Sequence, residues 1–221
     1  MKISELFLRE GDYDRDDTSS WLTDEIVKEL YDVTQGTIKK NFVGDLIAQS
    51  QLLIGSRPQL KKALLEKVAG GYELKYPISL VSGELDVNQC QLISFKNFPY
   101  TVRGNLSLWN NKITSLEGIP KIIDGSLDLI DNPITSFHNI HTMITEVSKI
   151  YVPTSVSSCL LGVLKIKKPP LLSTASVDRK NTNYPILLKA VSIINKYQTS
   201  NDIIACQREL IENDLDEYAE L

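Results

Sequence analysis

Apolar and polar positions alternate along the middle of the chain in three copies of one pattern. The copies are Gly83-Glu84-Leu85-Asp86-Val87-Asn88-Gln89-Cys90-Gln91-Leu92, Gly104-Asn105-Leu106-Ser107-Leu108-Trp109-Asn110-Asn111-Lys112-Ile113 and Gly125-Ser126-Leu127-Asp128-Leu129-Ile130-Asp131-Asn132-Pro133-Ile134. The interval from Gly83 to Gly104 is the same as that from Gly104 to Gly125. The register holds beyond each copy, through Ser94, Ser115 and Ser136, Phe95, Leu116 and Phe137, then Phe98, Ile119 and Ile140. Pro99, Pro120 and His141 share the next column, and Val102, Ile123 and Ile144 close the turn. A fixed period of this length predicts a stack of like units, each burying its apolar face on the next.

The columns divide by chemistry. Leu85 and Val87, Leu106 and Leu108, and Leu127 and Leu129 alternate at period two, so each pair enters a core from one short parallel strand. Cys90, Asn111 and Asn132 follow, where the chain leaves the strand and its backbone needs buried partners. An amide can supply them in a stacked row, and a thiol fits the same place less well. The glycine suits a tight bend before the strand, and the Phe/Ile-Pro step predicts an extended or turn-rich convex side. Continuing at the same interval places Ile150 and Tyr151 in a fourth, worn turn, with Glu146 at the glycine and Ser148 at the first leucine. Upstream, residues 76–81 read as the end of a preceding turn.

The flanks read as helices that close the ends of the stack. Trp21-Leu22, Ile26-Val27 and Leu30-Tyr31 recur at helical spacing, residues 43–54 suggest a second helix, and a third begins at Pro58 and ends at Gly70-Gly71. After Pro169-Pro170, residues 171–184 resemble a loop. One helix then starts beside Pro185 and another at Asn201-Asp202. The expected architecture is an α+β fold, a short solenoid of parallel strands in three to four turns with N-terminal and C-terminal helices. Its parts are a helical region or cap at 1–70, the solenoid at 71–166, a linker or long loop at 167–185 and a helical cap at 186–221.

The Leu-x-Leu-x-x-(Asn/Cys)-x-(Leu/Ile) pattern, in three tandem copies, resembles the leucine-rich-repeat family. More narrowly, the short Gly-x-Leu-x-Leu turns are similar to repeats in proteins of tailed bacteriophages. The segments Leu160-Leu161-Gly162-Val163-Leu164-Lys165-Ile166 and Cys206-Gln207-Arg208-Glu209-Leu210-Ile211-Glu212 resemble sequences that follow such repeats. The resemblance covers roughly residues 76–166 and 185–221. It implies a recognition scaffold, phage-encoded, acting in the host cytoplasm on a host or phage protein that it does not name.

A formal net charge of −4 argues against a general nucleic-acid or membrane-surface binder, which needs a basic face. Three widely spaced cysteines, Cys90, Cys159 and Cys206, follow no metal spacing and fit a reducing compartment. No stretch has the length of a membrane span or of a signal peptide's core. Asp12, Asp14 and Asp16 begin like a calcium loop, but Asp17 and Thr23 stand where glycine and glutamate are needed. His138 and His141 lack a third ligand. Secreted bacterial ubiquitin ligases with such repeats carry a Cys-x-Asp motif, and Cys206-Gln207-Arg208 departs from it. No catalytic residue, cofactor or metal is expected.

The outward positions form three columns: Glu84, Asn105 and Ser126; Asp86, Ser107, Asp128 and Lys149; Asn88, Trp109, Ile130 and Tyr151. Parallel strands lie about 4.8 Å apart, so Trp109, Ile130 and Tyr151 form an apolar ridge, with Asn88, Asp86 and Asp128 beside it. The leading expectation is a non-enzymatic protein-binding scaffold using this face. The alternatives are a self-associating structural protein and an enzyme with its site in residues 1–70.

Overall fold

The computed structural model describes residues 22–41, 44–174 and 183–221. In chain order the elements are α1 (Asp24–Val33), β1 (Ile38–Lys40), β2 (Leu46–Ala48), β3 (Leu52–Leu53), α2 (Pro58–Leu64), β4 (Leu65–Val68), β5 (Gly71–Leu74), β6 (Ile78–Val81) and β7 (Leu85–Asp86). They continue with β8 (Thr101–Val102), β9 (Leu106–Ser107), β10 (Ile122–Ile123), β11 (Ser126–Asp128), α3 (Ile140–Met143), β12 (Lys149–Val152), β13 (Leu171–Thr174), α4 (Tyr184–Lys196) and α5 (Ile203–Ile211).

Successive turns add one strand to each of two ladders. One sheet has the order β13-β12-β11-β9-β7-β3, parallel throughout; the other runs β1-β2-β6-β8-β10, parallel except for β1. The result is an α+β fold built on a parallel β-solenoid flanked by helices. Leu85, Val87, Leu106, Leu108, Leu127 and Leu129 are 0% exposed, as a period-two pattern with one face inward requires. Cys90, Asn111 and Asn132 are buried beside them.

The glycine column has a different cause from a bend. Gly83, Gly104 and Gly125 lack the positive φ found at Gly70 and Gly118. They stand instead where one turn's backbone meets the next: a Cβ on Gly104 would lie 2.7 Å from the Glu84 nitrogen, and the Gly125 N–H donates to the Gly104 carbonyl at 3.0 Å. Only a residue without a side chain allows that approach.

The solenoid is longer than residues 71–166. Residues 46–53 are not helical but supply β2 and β3, which pair with β6 and β7. Short apolar runs carry no period long enough to separate strand from helix. The interval from Leu52 to its partner Leu85 is also more than half as long again as a regular turn, which conceals the repeat. That interval holds α2 and a β4–β5 hairpin. The hairpin replaces the later half of the helix read from Pro58 to Gly70. Pairing takes over at Leu65, and Gly71 fits beneath the Gln91 carbonyl, where a Cβ would collide. At the other end, Leu171–Thr174 of the expected linker forms β13 on β12; residues 175–182 lie outside the described residues.

The fourth turn also differs. The register Leu127↔Ile150 and Asp128↔Tyr151 makes it two residues longer than the turns before it. Ile150 and Val152 are therefore its inward pair, each 0% exposed. Ser148 takes the glycine position, its N–H donating to Gly125. The insertion falls near α3, where Asn139 in a left-handed conformation turns the chain.

Helices cover the ends. On α1, Thr23 caps the N-terminus through Ile26, and Leu30 is buried; Trp21 lies outside the described residues. Buried Thr34 accepts from Ile38, joining α1 to β1. At the far end α4 turns Leu187, Ala190, Val191 and Ile194 inward, and α5 adds Cys206 and Leu210. Asn195 on α4 closes the outer edge of β13. Its side-chain oxygen accepts from the Leu172 N–H at 2.9 Å, and its amide donates to the Leu172 carbonyl at 2.8 Å, as a further strand would. Asn195→Ala is expected to cost about 1–2 kcal/mol and to promote self-association through the freed edge. Urea unfolding and light scattering check this, and an unchanged midpoint would dismiss the capping role.

Candidate functional site

The outward side of the six-strand sheet is assembled from residues fixed by the turns beneath it. The Asn111 side-chain oxygen accepts from Cys90 and Leu92 N–H at 3.1 and 2.9 Å, and its amide donates to the Val87 and Leu108 carbonyls at 2.9 and 2.8 Å. Asn132 repeats the arrangement with Ile113, Leu108 and Leu129. Ser155 stands in the same column after the insertion, its hydroxyl 2.8 Å from the Asn132 carbonyl. This row ties each strand exit to its neighbour, so side chains leaving the strands are held in place.

Three predicted face residues are part of that framework. Asp86 accepts the Asn88 N–H at 2.9 Å, and Asp128 accepts the Ile130 N–H at 3.0 Å, each closing a tight turn. Asn88 accepts the Trp109 N–H at 2.7 Å. The ring nitrogen of Trp109 donates to Asp131 at 2.8 Å, which ties the indole to the next turn; Ile130 is 8% exposed. Trp109 and Tyr151 are half-buried.

The ridge is not the straight column expected. With the longer fourth turn, Tyr151 lies beside Asp128 and Lys149 beside Ser126. Tyr151 is therefore a diagonal neighbour of Ile130, and Pro153 follows Ile130 in its column. The Lys149 ammonium sits 4.3 Å from the centre of the Tyr151 ring, a cation–π arrangement. Strand β3 adds Leu53 opposite Asp86, and β13 adds Ser173 opposite Tyr151. Asp131 escaped the sequence reading. Its signal is the column Gln89, Asn110 and Asp131, all with φ near +54°; Asn and Asp are the side chains that best tolerate that conformation.

Burial raises the Asp128 carboxyl above its ordinary range, and the nearby Asp131 charge adds to this while the Ile130 N–H opposes it. A folded-state pKa above the unfolded one means that ionisation weakens the fold. The penalty is absent below the unfolded value near pH 4 and complete above the folded one. Asp128→Asn keeps an acceptor for Ile130. It is expected to raise the thermal midpoint at pH 7 and to lose that advantage near pH 3, checked by calorimetry at both; a less stable variant at pH 7 would contradict the assignment.

Other candidate chemistry is dispersed. Burial pushes the Cys90 thiol up to about 11 and the Cys206 thiol up to about 12, so both are protonated at neutral pH and poor nucleophiles. His141 lies in α3, its Nδ1 buried and its pKa lowered by burial and then by Lys165 and His138. A concavity of about 530 Å³ between α1 and α2 is lined by Asp32, Val33, Gln35, Arg57, Gln59 and Leu60. Among the described residues no three His, Cys, Asp or Glu side chains converge on a metal position; Asp12, Asp14 and Asp16 lie outside them. No helix among the described residues is long and apolar enough to cross a membrane. The chain matches no family model, no curated protein and no solved structure.

Proposed function

We propose that the chain is a non-enzymatic protein-binding scaffold whose partner docks on the six-strand face, around Trp109, Ile130 and Tyr151. The observation that carries this reading is a half-buried tryptophan and tyrosine standing on a rigid parallel sheet. Large aromatic side chains with their orientation already fixed lose little freedom on binding and dominate interface energetics. The sequence resemblance to leucine-rich repeats of tailed phages extends the reading: the partner is a host or phage protein in the infected cell's cytoplasm, and binding inhibits it. Self-association by end-to-end stacking is disfavoured at one end, where Asn195 occupies the β13 edge.

The test is affinity capture from bacterial lysate with wild type and with a Trp109→Ala/Tyr151→Ala double variant, read by mass spectrometry. A stoichiometric protein retained by the first and lost by the second is expected. Identical retention by both would remove the face from consideration.

A further inference from the structure

The sheet face is charged as well as aromatic, and its carboxylates outnumber the cations beside them, Lys149 on β12 and Lys61 at the Gln89 carbonyl. Glu84 and Asp86 stand at β7, Asp128 on β11, and Asp131 follows at the exit of β11. Among the described residues none of these four carboxylates forms an ion pair. The nearby Lys149 places its ammonium over the Tyr151 ring instead. All four carboxylates already accept hydrogen bonds, Asp86, Asp128 and Asp131 from Asn88, Ile130 and Trp109, and Glu84 from the Ser107 hydroxyl at 3.5 Å. Burial of Asp128 disfavours its charge in the free protein, so an incoming cation would relieve an existing cost. The chain's own residues 1–21 are a poor occupant, because they carry six carboxylates against three cations.

We propose that the partner presents a cationic segment to this face, with Arg or Lys flanking an apolar residue. The cations lie against Asp86, Asp128 and Asp131, and the apolar side chain lies on the half-buried Trp109 and Tyr151. This rests on the docking reading above and names the partner's chemistry. From β7 to β12 is three strand spacings, about 14 Å, the length of roughly four extended residues. An arginine suits the place best, because its planar guanidinium both pairs with carboxylates and stacks on aromatic rings.

The probe is a displayed library of random dodecapeptides, panned on the full chain at low salt and counter-selected on the Trp109→Ala/Tyr151→Ala variant. Selected peptides are then titrated against wild type and against the Asp86→Asn/Asp128→Asn/Asp131→Asn variant. Asparagine keeps every acceptor named above and tolerates the left-handed backbone of Asp131, so the variant removes charge and leaves the turns intact; circular dichroism confirms its fold. The expected peptides are enriched in Arg or Lys and bind the triple variant at least about tenfold more weakly, with wild-type affinity falling at high salt. Peptides that need Trp109 and Tyr151 yet show no basic enrichment, or bind the triple variant equally well, overturn the cationic segment and leave the docking face standing. A library with no peptides dependent on the aromatic pair overturns both.

Discussion

Replacing Asn111 with alanine is expected to destabilise the protein by about 4 kcal/mol or more, the sum of several buried groups left without partners. The amide joins two turns through four hydrogen bonds, from Cys90 and Leu92 and to Val87 and Leu108. Asn111 itself is 6% exposed, so water does not readily replace it. Alanine leaves the Cys90 and Leu92 N–H groups and the Val87 carbonyl without this partner, while Leu108 keeps the Asn132 amide, and each buried orphan costs roughly 1–3 kcal/mol. The loss falls mid-stack, where it uncouples the turns on both sides. Urea unfolding of wild type and variant checks it. A change below about 1 kcal/mol, the size of a single ordinary hydrogen bond, would mean that the exits of β7 and β9 find other partners. The amide row would then not be what holds the solenoid together.

The second large effect is Gly104→Ala, expected to cost about 3 kcal/mol, the upper range for forcing atoms into a packed site. A Cβ would stand 2.7 Å from both the Glu84 nitrogen and the Gly83 carbonyl carbon. Both are backbone atoms held by the sheets, so neither can swing away as a side-chain tip would. Relief requires the turns to separate, which also stretches the Gly125 to Gly104 hydrogen bond. Thermal unfolding measures the loss. A wild-type midpoint would show that the turns separate freely at this corner, contrary to the close approach described.

These two columns were legible as constant spacing within one chain, and the amide row was legible with its reason. The glycine row was legible only as a glycine requirement. Its cause is an approach between residues one full turn apart, which a reading of local turns assigns to a bend. Leu46 to Leu53 defeated the pattern because two strands of two or three residues share their apolar spacing with a helix. The α2 and hairpin insertion then moved them well beyond one repeat length from their partners. The fourth turn failed through a gap-free register. Placing Ser148 at the glycine brings Ile150 and Val152 onto Leu127 and Leu129, a match that an insertion of two residues would have exposed. The same error changes the face: Trp109 and Ile130 keep one column but Ile130 is buried, Tyr151 moves beside Asp128, and Asp131 joins Trp109 through the indole.

If the six-strand face is a docking site, Trp109 and Tyr151 carry binding energy. The most direct measurement is the affinity of a partner captured by wild type, compared by calorimetry with the Trp109→Ala/Tyr151→Ala variant and with Ile204→Ser on α5, where an exposed apolar side chain lies off the sheet. A loss of about 2 kcal/mol or more for the aromatic pair, roughly thirtyfold in Kd, with wild-type affinity for Ile204→Ser, is the predicted result. Equal affinities for wild type and the aromatic variant would contradict the docking face.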